Sequence, residues 1–422
     1  MNTSLTKSSV YTLSANVLLA ASNWLLLVVI AKQFSTLELG QFVLVLSITS
    51  PAFLFASFKV RTLLVVDRQW DFSLEEYASA RLLANAVVTI LIMLVITLNW
   101  PELAPVAGIV LLYKWCDSWT EFCHSYQRRL QRFTQASLLL SSRSCLSIFM
   151  VIGASLLGLG FIWVLLLWAL VTVLFTVLDS WFFYTTSGQY EPHPLSMVTI
   201  FSWRSVKRAF VLYRRYFTVA CALIISSLFV YLPNFFLSKQ LNVEAAGQFA
   251  AISYFLVAGG IIINSLSQVV TPKLSIYFQQ QNERDFSLLV KQLCWLGLLL
   301  GIAGLTVSWF FGEFFLRVFY TPQIAEYSHV LNWVMLAAAV RYIYIFIGTA
   351  MASMERFAIQ TKIYACGLVA MFVACYILIP EYGVLGAAQA MLIATLVELG
   401  LFVLVVKSQV RLAFTFPKVK MI

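Results

Sequence analysis

Apolar runs of about twenty residues, separated by short polar breaks, recur along the whole chain. A helix that crosses a bilayer needs about 20 mostly apolar residues. Runs of that kind predict twelve helices, over approximately residues 10–31, 40–58, 79–99, 104–123, 135–157, 160–185, 216–237, 247–266, 288–311, 328–350, 360–379 and 384–406. The fourth is interrupted by Lys114, Asp117 and Glu121. The first follows a single lysine, Lys7, exceeds the core of a signal peptide and lacks a small-residue cleavage site, so it reads as a retained helix.

The positions of the charges decide whether the fourth run counts. With a cytoplasmic amino terminus, twelve helices place 22 of the 28 Lys and Arg in cytoplasmic segments and 3 (Lys32, Lys239, Arg317) outside, with Lys114, Arg143 and Arg341 inside helices. That asymmetry is the positive-inside pattern. Deleting the fourth helix would move Arg204, Lys207, Arg208, Arg214 and Arg215 to the outer side, so it stays. Both termini are then expected in the cytoplasm, with the chain crossing a bacterial inner membrane many times.

Composition agrees: 61% of residues are hydrophobic and 11% charged, and mean hydropathy is +0.88, well away from soluble usage. The net charge of +10 lies mostly in short loops, which argues against nucleic acid as a partner. The seven cysteines fall inside apolar runs without metal-ligand spacing, so neither a metal site, a cofactor nor a disulfide framework is expected.

One short segment occurs twice. KQFSTLELGQF (Lys32 to Phe42) returns as KQLNVEAAGQF (Lys239 to Phe249), with five of eleven positions identical at an offset of 207. The copies lie between helices one and two and between helices seven and eight, both on the outer side. Equivalent places six helices apart imply two six-helix lobes of the same orientation, a parallel internal repeat. The expected fold is therefore an all-α polytopic membrane protein, with an amino-terminal lobe over 1–209 and a carboxy-terminal lobe over 210–422. Two such lobes enclose a cavity suited to alternating access.

Outer loops are expected to be short, the longest near 16 residues between helices nine and ten, leaving no room for an external catalytic domain. The inner connection over 186–215 holds EPHP (Glu191 to Pro194) and a basic stretch in which Phe201, Val206, Phe210 and Tyr213 share one face. It reads as an amphipathic helix lying on the inner leaflet.

The helix-one stretch SANVLLAASNWLLLVVIAKQFSTLELGQF (Ser14 to Phe42), its second-half copy, TPKLS (Thr271 to Ser275) and the 6+6 plan together resemble the polysaccharide exporters. These are the Wzx-type flippases of the multidrug/oligosaccharidyl-lipid/polysaccharide (MOP) exporter superfamily. The resemblance implies a transporter rather than an enzyme. It would turn polyprenyl-diphosphate-linked oligosaccharide repeat units from the cytoplasmic to the periplasmic leaflet, amid membrane lipids, with a proton or sodium ion and the polysaccharide polymerase machinery as candidate partners. Rival readings are a MATE-like exporter of small cationic compounds, a membrane glycosyl enzyme and a non-transporting scaffold.

Residue roles come from position. Ionisable groups at membrane depth are costly unless they face a cavity or a partner. Lys114, Asp117 and Glu121 share one face of helix four, as an internal brace, a substrate cavity or both. Arg143 and Arg341 suit a diphosphate or a carboxylate through bidentate bonding, or pair with Asp179 or Glu398. Glu398 is either an ion-coupling carboxylate or the partner of Arg341. Asn16 and Asn23 share a face of helix one, and with Trp115 they are candidate sugar contacts; Asn234, Asn264 and Gln268 are amides of the same kind. Gly297, Gly301 and Gly304 follow a small-residue packing pattern, and Pro51 and Pro233 can bend helices two and seven.

Overall fold

The computed structural model describes residues 3–58, 60, 63–64, 71–130, 132–190, 197–354 and 356–415. Among them are twelve long α-helices: α1 (Thr3–Gln33), α2 (Thr36–Ala56), α3 (Leu74–Asn99), α4 (Ala104–Arg129), α5 (Phe133–Leu156), α6 (Phe161–Tyr190), α7 (Trp203–Gln240), α8 (Val243–Gln279), α9 (Glu283–Phe319), α10 (Ser328–Ser353), α11 (Phe357–Tyr382) and α12 (Val384–Thr415). Ten of these are long and apolar enough to cross a membrane by length and composition. The other two are α4 and α7. Because α4 packs against the candidate spans α2, α3, α5 and α6, it lies at their depth despite its polar face. The protein is a multi-pass, all-α membrane protein.

Two compact units divide within α7, at Tyr231 and Leu232. The same neighbours meet in each: α2 on α4 as α8 on α10, α3 on α4 as α9 on α10, α4 on α6 as α10 on α12, and α5 on α6 as α11 on α12. The duplicated segment shows how a repeat of sequence becomes a repeat of structure. Ser35 caps α2 in a capping box, accepting from the Glu38 amide at 3.2 Å while Glu38 accepts from the Ser35 amide at 2.9 Å. Asn242, 207 positions later, caps α8 by accepting from the Ala245 amide at 2.8 Å. Each cap satisfies amides that a helix start leaves open. The matched Gly40 and Gly247 are both buried, and the matched Phe42 and Phe249 are 2% and 0% exposed, each in its own core.

The structure differs from the sequence reading in two places. α9 runs unbroken to Phe319, so only residues 320–327, including a single helical turn at Pro322–Ala325, join it to α10. The connection is about half the expected length, because nothing in that stretch breaks the helix before Phe319. The basic stretch before the seventh span is also no separate helix: from Trp203 it is the start of α7, which continues to Gln240. No Gly or Pro interrupts it before Pro233, and it is held to α3 by Arg208 on Glu76 (3.3 Å) and by the Tyr213 hydroxyl on the Ala80 carbonyl. The EPHP motif lies outside the described residues.

The turn between α11 and α12 depends on Gly383, at φ 59° and ψ −130°, a region that side-chain-bearing residues avoid. Gly383→Ala is expected to cost about 1–3 kcal/mol, read as a lower unfolding midpoint of the purified protein.

Candidate functional site

In the first unit the polar face of α4 is longer than the sequence reading placed it. Lys114, Asp117, Glu121 and His124 stand at i, i+3, i+7 and i+10 and share one face, covering about 15 Å of helix, half the thickness of a hydrocarbon core. Three of the four bond to three different helices. Asp117 accepts from Arg143 of α5 at 2.7 Å, Glu121 accepts from Arg81 of α3 at 2.6 Å, and His124 meets Asp179 of α6 at 2.9 Å. The fourth, Lys114, places its ammonium over the Tyr113 ring, 6.0 Å from the centroid.

Burial is uneven across these pairs. Arg143 and Arg81 are each 3% exposed, while the Asp117 and Glu121 side chains are 37% and 36% exposed. The arginines therefore stand behind carboxylates that face open space, and Lys114 is partly exposed beside them. Guanidiniums suit such positions because they remain charged and bond several acceptors at once. Arg81 also donates through Nε to the Ser118 carbonyl at 3.2 Å, and Asn85 exchanges hydrogen bonds with the Ser118 hydroxyl at 2.8 and 3.0 Å.

The helix-one amides are placed unequally. Asn23 lies beside the Tyr113 hydroxyl, and the Tyr113 ring stacks on Trp168 with centroids 3.8 Å apart, so Asn23 of α1 approaches the α4–α6 pair. Asn16 and Trp115 are partly buried. Asn264 and Gln268 are exposed on α8, whereas Asn234 is buried and its Oδ1 has no hydrogen-bond partner among the described residues.

A separate polar cluster occupies the second unit. Glu398 of α12 is 3% exposed and lies beside the Tyr344 hydroxyl of α10, with Arg341 of α10 within electrostatic reach. Its Oε2 has no hydrogen-bond partner among the described residues. The carboxylate lies directly over Gly367 of α11, where a Cβ would collide with it. Tyr364 and Gln360, hydrogen-bonded at 3.1 Å, complete the cluster beside Gly348.

Of the pairings weighed from the sequence, Arg341 and Glu398 lie within electrostatic reach of each other. Arg143 is bonded to Asp117 and to neither Asp179 nor Glu398, and Asp179 takes His124 instead. Sequence reasoning missed Arg81, His124 and Asn85. Counting charges by segment assigns Arg81 to the cytoplasmic group because it follows the polar start of its helix. The signal that could have found it is Arg81 and Asn85 at i and i+4 in SARLLANAVV, one polar stripe on an otherwise apolar helix.

No protein-family model matches the chain. It is 26% identical over 399 residues, 92% of its own length and 96% of the relative's, to the capsular polysaccharide biosynthesis protein CapF of Staphylococcus aureus. Among solved structures it is similar to the lipid II flippase MurJ in an inward closed conformation (TM-score 0.73, 16% identity, 95% of this chain and 87% of that one). It is also similar to a multidrug resistance MATE family transporter of the MOP superfamily in an outward-facing conformation (TM-score 0.64, 13% identity, 98% and 96%). The fold is the one these transporters share, and the sequence similarity is to a protein of capsular polysaccharide biosynthesis.

Proposed function

We propose that the protein is a flippase that moves polyprenyl-diphosphate-linked oligosaccharide repeat units, destined for O-antigen, capsule or exopolysaccharide, from the cytoplasmic to the periplasmic leaflet of a bacterial inner membrane. The observation that carries this reading is the end-to-end similarity to a capsular polysaccharide biosynthesis protein, joined to a fold shared with a lipid II flippase. The lobes, 1–209 and 210–422, rock between inward-open and outward-open states while the polyprenyl tail stays in lipid. No bond is made or broken, so the protein is a transporter and not an enzyme.

In this reading the α4 face receives the anionic headgroup. Lys114 is its half-buried cation. Arg143 becomes available when the headgroup displaces Asp117 from it, and Arg341 supplies a cation in the other lobe. Asn16, Asn23 and Trp115 contact sugar. Glu398, whose second oxygen has no hydrogen-bond partner among the described residues, is the carboxylate that a coupling proton or sodium ion would occupy, with Asp117, Glu121 and Asp179 as further charge-pairing groups. The assembled glycan passes to a polymerase on the periplasmic side.

Deleting the gene tests the proposal. Complete polyprenyl-linked repeat units should accumulate, shielded from a membrane-impermeant label in intact spheroplasts, and unchanged intermediates would sink it. Lys114→Gln should lower surface glycan roughly tenfold or more at unchanged protein level, the scale of one lost charge-assisted bond.

One observation favours a second reading. Asp117 and Glu121 are the more exposed members of their pairs, as an exporter of small cationic compounds requires. That exporter would give dye sensitivity on deletion, with no accumulated glycolipid.

A further inference from the structure

At about 57 Å by helix rise, α7 is nearly twice the thickness of a hydrocarbon core. Its apolar run begins near Tyr216, so its first four turns project beyond the bilayer interior. Those turns have two distinct faces. Ser205, Ala209 and Leu212 are 4%, 0% and 0% exposed, and Ala209 and Leu212 join the core cluster that includes Phe58, Phe72 and Tyr77. On the opposite side, Trp203, Lys207, Phe210, Arg214 and Phe217 follow at i, i+4, i+7, i+11 and i+14, within one narrow arc. Trp203, Phe210 and Phe217 are 73%, 65% and 54% exposed, and Lys207 and Arg214, with Arg204 alongside, are exposed too.

Three features say what covers this face. Aromatic and basic residues alternate along it, the composition of a headgroup interface, where aromatic rings anchor and basic groups meet phosphate. α7 contains no acidic residue from Trp203 to Gln240. The nearby acids are engaged on its flanks: Asp71 accepts from Arg215 at 2.8 Å and Glu76 accepts from Arg208 at 3.3 Å. The arc carrying Lys207 and Arg214 therefore has no built-in counter-charge on its own helix. Lys207 is held over the Trp203 ring, 5.0 Å from its centroid, which fixes a cation beside an anchor.

We propose that this face of α7 is a binding site for the phosphate headgroups of anionic phospholipids, which seats the start of the helix at the bilayer surface. Phe217 and Phe210, nearest the apolar run, enter the headgroup layer, Trp203 holds Lys207 over its outer edge, and Arg204, Lys207 and Arg214 bond lipid phosphates. The site is independent of what the protein transports.

Native mass spectrometry of the full-length protein released from mixed micelles tests the site, with phosphatidylglycerol and phosphatidylcholine as probes. Retained phosphatidylglycerol should exceed phosphatidylcholine at least fivefold, and R204Q/K207Q/R214Q should remove most of that excess. W203A/F210A, which keeps every charge, should also lower it severalfold. Both variants should elute as the wild type does in size exclusion. Equal retention of the two lipids, or an unchanged excess in the charge variant, overturns the proposal. Complete displacement of the lipid by millimolar inorganic phosphate also overturns it, by assigning the site to free phosphate.

Discussion

Replacing Asp117 with alanine is expected to destabilise the protein by about 3 kcal/mol, because it strands a buried cation. Arg143 is 3% exposed and its bonded carboxylate is Asp117, at 2.7 Å. Its Nη1 has no hydrogen-bond partner among the described residues, so removing Asp117 leaves the guanidinium far from water with little compensation. The converse change is milder, since Asp117 is 37% exposed and is less tightly enclosed than the guanidinium once Arg143 is gone. The asymmetry is the test: thermal unfolding of the purified variants should place Asp117→Ala below Arg143→Met. A D117L/R143M double variant should recover much of the loss, as replacement of a buried pair by apolar groups commonly does. Equal destabilisation by the two single changes would mean that the pair does not have this buried character.

Gly301→Leu is expected to prevent stable packing of α9 on α10. A Cβ on Gly301 would sit 2.5 Å from the Ala339 Cα, and one on Gly297 would sit 2.7 Å from the Tyr342 carbonyl oxygen. Both obstacles are backbone, so no rotamer change relieves them, and the helices must separate. At Gly304 the obstacle is instead the end of the Met335 side chain, at 2.7 Å, which is flexible and can move. Overpacking commonly costs about 1–3 kcal/mol; against backbone, Gly301→Leu should exceed that range while Gly304→Ala stays within it. Yield of monodisperse protein after detergent extraction reads the difference: severe loss for the first and near wild-type recovery for the second. Similar yields would contradict the close approach.

These two sites also show how far the sequence can be read. The spacing of Gly297, Gly301 and Gly304 points to close helix packing by itself, because small residues three and four apart on one helix let a neighbouring backbone approach. The twelve helices and the repeat are legible for a similar reason: membrane burial imposes a length and a composition on every span, and the Lys-Gln and Gly-Gln-Phe pairs mark matched hairpins. Keeping α4 requires charge counting, since its own polar face hides it from a hydropathy scan. Partner choice is not legible. Lys114 and Asp117 are neighbours on one helix, yet the Asp117 bond goes to Arg143, because helix packing and not sequence spacing decides which cation is brought within 3 Å. Arg81 is hidden by its place near the start of α3, where a basic residue ordinarily reaches the interface. The continuity of α7 is hidden because a change from basic to apolar composition looks like a boundary, although a helix needs no break there.

The α4 face and the Glu398 cluster belong to different units, and each contains cations and carboxylates together. An anion carrier and a cation carrier could both be built from such groups, so direct transport by the purified protein is the decisive measurement. The protein should be reconstituted in liposomes with a polyprenyl-diphosphate oligosaccharide bearing a fluorophore on its sugar, and the fraction open to a membrane-impermeant quencher followed over time. A flippase exchanges labelled lipid between leaflets, so quenching exceeds the half expected for an outer leaflet alone, and Lys114→Gln slows that exchange. Quenching that stops at one half, as in protein-free liposomes, would contradict the flippase assignment.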